Sequence, residues 1–150
     1  FRWMLDNSHQ KEMNVTWANI FVNSNYIFYK ENIIPFYSQR EIVLVCNHKS
    51  NLNALPFNVV KDFRVGTNAY KDDFSLVEEI LNWIEVGQIE NKLFLFCAGP
   101  FGNILAHRLF EKNPYNTYMD VGSTLDPLLG LGNTRCYLSG HATLNKSCIW

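Results

Sequence analysis

Three short stretches carry residues that could hold a phosphate or move a proton. The first is Ala98-Gly99-Pro100-Phe101-Gly102-Asn103, which follows a hydrophobic run and opens a helical one. A helix N-terminus leaves unpaired N–H groups and a partial positive charge. Glycine lets a phosphate approach the backbone closely. Gly99, Pro100, Gly102 and Asn103, with the N–H of Ile104, are therefore candidates for a diphosphate cradle. The alternative is a tight strand-to-helix turn that needs small residues only. The spacing is not GxGxxG and no Walker lysine follows, so the standard dinucleotide and P-loop motifs are absent.

The second stretch is Asp120-Val121-Gly122-Ser123. An acidic residue at a strand end can hold a ribose hydroxyl, while Gly122 and Ser123 allow close approach. Asp120 could instead cap a neighbouring turn. The third is Asn47-His48-Lys49, where Lys49 could neutralise phosphate and His48 could act near neutral pH. A solvated loop is the other reading. Asp126, before Pro127, reads as a turn former or a catalytic carboxylate. Thr134-Arg135 and Lys146 could reach a sugar or phosphate, or pair with surface carboxylates. His107 reads as a packed or surface residue. There is no HExxH and no Ser–His–Asp arrangement, and His9, His48, His107 and His141 are dispersed, which argues against zinc.

Strands and helices must place these stretches. Glu41–Cys46, Phe63–Gly66, Lys92–Ala98 and Thr117–Val121 read as strands. The first and third are continuously apolar, as in strands buried on both faces of a parallel sheet. Phe74–Trp83 and Phe101–Phe110 have helical apolar spacing, and Asp72 or Asp73 could cap the first. Val15–Tyr29 is aromatic-rich and reads as helical or as an aromatic wall. Strands alternating with helices predict an α/β fold of Rossmann-like, three-layer α/β/α type with a mainly parallel sheet. Ligands of such folds bind outside the carboxyl ends of the strands, which is where all three stretches fall.

Composition narrows the classes. The 150 residues suit one domain spanning 1–150, with 47% apolar and 15% aromatic residues, so a packed core is expected. A net charge of −1 argues against a nucleic-acid partner. No apolar stretch nears the roughly 18 residues of a membrane span. Nothing at the start reads as a signal peptide, and the four cysteines form no close pair, so the cysteines read as reduced and the compartment as cytoplasmic. The sequons at Asn14 and Asn145 are discounted on the same ground. The chain runs from Phe1 to Trp150 through aromatic-rich sequence at both ends, as expected of a piece of a longer protein.

FCAGPFGNILAHRL followed by YMDVGSTLDP resembles the C-terminal half of the GT-D type glycosyltransferases. The upstream VLVCNHKSNLNALPFNVVKDFRVGTNAYKDDFSLVEEI is similar to the same family, and TRCYLSGHATLNKSCIW resembles the tails of some members. The likeness spans roughly Glu41 to Trp150. It implies sugar transfer from a nucleotide-sugar, a UDP- or GDP-sugar, to a glycan acceptor, with a divalent metal (Mn or Mg) as a possible cofactor. It implies diphosphate contact at Gly99, Gly102 and Asn103, nucleoside or sugar contact at Asp120 and Gly122, and Asp126 or His48 as candidates for catalysis. The family's Arg-Phe-Gly-Asp-Gly-Glu type segment, source of an Asp-x-Glu motif, has no match here. In the family it lies upstream of the part that begins at Phe1. Other readings are a different Rossmann-like enzyme using a nicotinamide or S-adenosylmethionine, and a non-catalytic nucleotide-sugar-binding module.

Overall fold

The computed structural model describes Asp6 and residues 20–139. The sequons, Lys146, His9, His141, Cys148 and the first part of the Val15–Tyr29 segment lie outside the described residues. No described helix is long and apolar enough to cross a membrane.

The fold is α/β, with four parallel strands in one sheet flanked by helices in the manner of a Rossmann-like three-layer fold. The strands are β1 (Ile42–Asn47), β2 (Val59–Val65), β3 (Leu93–Phe96) and β4 (Thr117–Asp120), in the order β2-β1-β3-β4. The central strands are the two continuously apolar runs. Every residue of Ile42–Cys46 is buried, as is every residue of β3. Two long helices follow, α1 (Leu76–Gly87) and α2 (Pro100–Lys112), with a single helical turn at Ala69–Asp72 ahead of α1. α1 buries Leu76, Val77, Ile80 and Ile84. α2 buries Phe101, Gly102, Leu105 and Leu109.

Alternation along β1 and β3 divides the core. Val43, Val45, Phe94 and Phe96 point to one face, where both helices pack. Ile42, Leu44, Cys46, Leu93 and Leu95 point to the other. No long helix covers that second face. It is filled by Tyr26, Tyr29, Ile34 and Tyr37 from a helical run at 23–39, by Phe57, and by Val121, Leu125, Leu129 and Leu138. The run at 23–39 joins 3-10, α, π and 3-10 turns in succession. The arrangement follows from one handedness of crossover. The β2-to-β3 and β3-to-β4 connections move the same way across the sheet and share a face. The β1-to-β2 connection moves the other way and takes the opposite one.

Three expectations change. Phe74 is half exposed and α1 begins later, at Leu76. Asp73 does not cap it: its Oδ2 accepts the N–H of Gly66 at 2.7 Å, closing the loop after β2. β2 also begins earlier than expected, at Val59, with the exposed Val60 and Lys61 in its first half. It is an edge strand, so only its last residues, Phe63 and Val65, are buried enough to read as apolar sequence.

Candidate functional site at the carboxyl end of the sheet

A cleft of about 700 Å³ opens at the carboxyl ends of all four strands. β1 contributes Asn47 and Lys49, and the loop after β2 contributes Thr67. β3 leads into Cys97 and Gly99, while β4 leads into Gly122, Ser123 and Asp126. Leu131, Thr134, Arg135 and Tyr137 form the far wall, and Val22 adds an apolar patch. β1 and β3 are adjacent, and connections leave them in opposite directions. That is the switch point at which doubly wound sheets bind ligands.

Gly99 shapes the middle of the cleft. Its φ of 56° and ψ of −142° lie in a region that only glycine enters readily. Pro100 follows as the first helical residue, where its missing N–H is harmless and its φ is already helical. The N–H of Gly102 donates to the carbonyl of Gly99 at 2.9 Å. Gly102 lies below the cleft and does not line it. A Cβ there would sit 2.8 Å from Asp120 Oδ1, so its small size admits the carboxylate of β4 against α2. Pro100 and Asn103 are exposed and also stand outside the lining.

The carboxylates differ in setting. Asp120 accepts the N–H of Gly122 at 3.0 Å, and burial pushes its carboxyl above the usual range against that bond. It supports the Gly122 turn from beneath without lining the cleft. Asp126 does line it. Its side chain accepts from the Thr134 hydroxyl, and its backbone carbonyl accepts the N–H of Leu131 at 2.9 Å. Burial raises its carboxyl too, opposed by the Thr134 bond and then by Arg135. Asp126 thus ties the far wall to the floor.

Ser123 and Tyr137 share a hydroxyl contact of 2.8 Å across the cleft. Beneath them, Tyr26 donates to the Thr124 carbonyl at 3.1 Å, and the Thr124 hydroxyl bonds that of Tyr29 at 3.2 Å. Burial pushes the Tyr29 hydroxyl strongly upward, so it stays a neutral partner. The helical run at 23–39 therefore holds the turn that carries Ser123 and Asp126.

Of the sequence candidates, Lys49, Gly99, Gly122, Ser123 and Asp126 meet in the cleft. His48 does not. Its N–H donates to the Val65 carbonyl at 2.9 Å and its ring lies 3.3 Å from the same oxygen, outside the cleft lining. Arg135 and Thr67 lie in the cleft, and Tyr137 and Cys97 join them without having been singled out for it. Cys97 read as a buried strand residue. β3 ends one residue before it, and burial pushes its thiol well up. Nothing local marks Tyr137, which arrives through long-range packing with Tyr26, the ring centroids 5.2 Å apart.

Among the described residues, no group of three or more His, Cys, Asp or Glu could hold a metal ion. Among the described residues, Asp126 is the one carboxylate lining the cleft, and it is engaged by Thr134. These residues do not by themselves make a metal site. In comparisons with known proteins, no family model, no curated protein and no solved structure matches the chain.

Proposed function

We propose that the cleft binds a nucleotide-sugar and that the chain is the donor-binding domain of a glycosyltransferase. One observation carries this reading: two cations, Lys49 and Arg135, line the same cleft as the glycine turn at Gly99, at the switch point of a parallel sheet. Neither cation forms an ion pair with a carboxylate among the described residues. Arg135 acts on Asp126 only from beyond ion-pair distance, and an anionic ligand, a diphosphate above all, would engage both cations directly.

The chemistry follows from the charges. The acceptor hydroxyl oxygen bonds to the anomeric carbon of the sugar. The anomeric C–O bond to the diphosphate breaks, and its electron pair leaves with the diphosphate. Lys49 and Arg135 stabilise that growing charge. Asp126, whose raised carboxyl favours holding a proton, takes the one released by the hydroxyl. No step is assigned to a metal.

Thermal unfolding with a panel of UDP-, GDP- and TDP-sugars tests the reading. A ligand at 100 times its dissociation constant adds about 2.7 kcal/mol of stability. No shift with any nucleotide would sink the proposal. A shift with nicotinamide dinucleotide or S-adenosylmethionine alone would move the cleft to another Rossmann-like chemistry.

A further inference from the structure

Two cysteines meet at the floor of the cleft, and the chemistry proposed above uses neither. β1 and β3 run parallel, with Ile42 beside Leu93 and Val45 beside Phe96. One residue further on, the same register sets Cys46 beside Cys97, and the Cys97 N–H donates to the Val45 carbonyl at 2.8 Å. Neighbouring strands lie about 4.8 Å apart, inside the Cα spacing of roughly 4.4–6.8 Å that a disulfide spans. Alternation sends both side chains to the second face, where Cys97 packs against the cluster that contains Cys46. Both are free thiols. Cys46 is fully buried, while Cys97 lines the cleft.

A buried hydroxyl stands beside this pair. Ser50 is buried, and its Oγ meets no oxygen or nitrogen partner. Burial raises the Cys46 thiol; the Ser50 hydroxyl and then the Arg64 guanidinium oppose it by favouring the thiolate, and Asp62 adds a smaller push upward. At Cys97, burial and then Cys46, Asp126 and Asp120 all push the thiol well up. Cys97 therefore faces solutes and rests protonated, which separates it from a catalytic thiolate. Cys46 sits behind it with groups that help its sulfur attack.

We propose that Cys46 and Cys97 are a reversible dithiol switch, in which a small-molecule disulfide oxidises the pair and the new bond reshapes the cleft floor. The Cys97 sulfur attacks the small disulfide, forms a mixed disulfide and expels one thiolate. The Cys46 sulfur then attacks the Cys97 sulfur, the cross-strand bond forms, and the second small thiolate leaves. The pair loses two electrons and two protons, and the small disulfide takes them up as two thiols. Closing the bond draws the Cβ atoms to about 3.8 Å, nearer than the strand spacing, so the end of β3 must shift. The Phe96 carbonyl accepts the N–H groups of Val121 and Gly122 at 3.0 and 3.1 Å, and Gly99 follows Cys97 by two residues. A shift there reaches both glycine turns of the cleft. Disulfides held off their preferred geometry are readily reduced, as reversal requires. Control of a nucleotide-sugar by this bond rests on the proposed function; the bond and the shift do not.

The test uses the full chain with Cys136→Ser and Cys148→Ser, which leaves Cys46 and Cys97 as its thiols. Bis(2-hydroxyethyl) disulfide should give a Cys46–Cys97 crosslinked peptide in mass spectrometry, reversed by dithiothreitol. The Gly99 and Gly122 amide signals should move with it in NMR spectra. Adding Cys46→Ala should stop the reaction at a mixed disulfide on Cys97, and adding Cys97→Ala instead should leave Cys46 unmodified. No crosslink, or a crosslink with both glycine signals unmoved, overturns the switch. Nucleotide binding is read separately, from melting shifts of the reduced and oxidised forms. Where a nucleotide binds, its shift should shrink on oxidation, and an equal shift overturns control of that ligand. A crosslink that moves both glycine signals upholds the switch even where no nucleotide stabilises the reduced chain, a result that fails only the nucleotide reading.

Discussion

Gly102 on α2 and Asp120 at the end of β4 are packed so closely that a methyl group at Gly102 would overlap the Asp120 carboxylate, 2.8 Å from Oδ1. Helix propensity alone favours alanine at Gly102 by about 1 kcal/mol. The overlap wins, because Asp120 is short and its carboxylate already accepts the Gly122 N–H. Gly102→Ala should lose about 1–2 kcal/mol in urea unfolding. In an Asp120→Ala background the same change should be neutral or stabilising, a non-additive cycle. Equal losses in both backgrounds would refute the packing account.

Gly99 needs its hydrogen side chain for a different reason. A Cβ there would meet nothing within 4 Å, but its φ of 56° strains any other residue. Gly99→Ala should destabilise by about 1–3 kcal/mol. The loss should be the same whether or not Asp120 is truncated. That independence separates backbone strain from crowding.

Lys49 and Arg135 are both exposed, so their removal should leave the melting temperature nearly unchanged. Lys49→Ala and Arg135→Ala should each weaken binding of the responsive nucleotide about tenfold, the range of a charge-assisted bond. Calorimetry at low and high salt measures it. The loss should shrink as salt rises. Unaltered affinity in both variants would remove the phosphate from this part of the cleft.

Asp126 sets a pH dependence whose sign is fixed by burial. Its carboxyl is raised in the folded chain, chiefly by desolvation. The stability it contributes is therefore full below the ordinary carboxylate range of 3.8 and is lost as pH rises through its raised value. Asp126→Asn keeps an oxygen for the Thr134 hydroxyl but cannot ionise. Its stability relative to wild type should improve from acid to neutral pH in urea titrations. Turnover should fall at the same time, the exchange of stability for activity that catalytic carboxylates often make.

The sheet was readable because its central strands are buried on both faces, and that burial forces unbroken apolar runs such as Ile42–Cys46. The edge strand was half hidden, since Val60 and Lys61 face solvent. Local signals also found the loops that reach the cleft, because parallel strands bring all their carboxyl ends together. They could not tell which glycine faces the cleft and which faces a carboxylate. Gly99 and Gly102 look alike in sequence, yet in three dimensions Gly99 answers to its positive φ and Gly102 to the Asp120 carboxylate. Asp73 was open to the same ambiguity: a capping position before α1, and in the fold a clamp on Gly66. Tyr26 fell in the aromatic-rich Val15–Tyr29 segment, but its partners Thr124 and Tyr137 could not be read because they lie far along the chain.

That distance has a kinetic consequence. On the α1 and α2 face, neighbouring units close over short stretches of chain. The second face is closed by tyrosine contacts such as Tyr26 to Thr124, which join residues 98 apart. Long loops are entropically late to close. The cleft wall bearing Ser123 and Asp126 should therefore mature after the sheet and its helices. In pulse-labelled hydrogen exchange, amides of β1 and β3 should gain protection before those of Thr124 and Asp126, so a chain stalled during folding would have its scaffold assembled and its binding site still open.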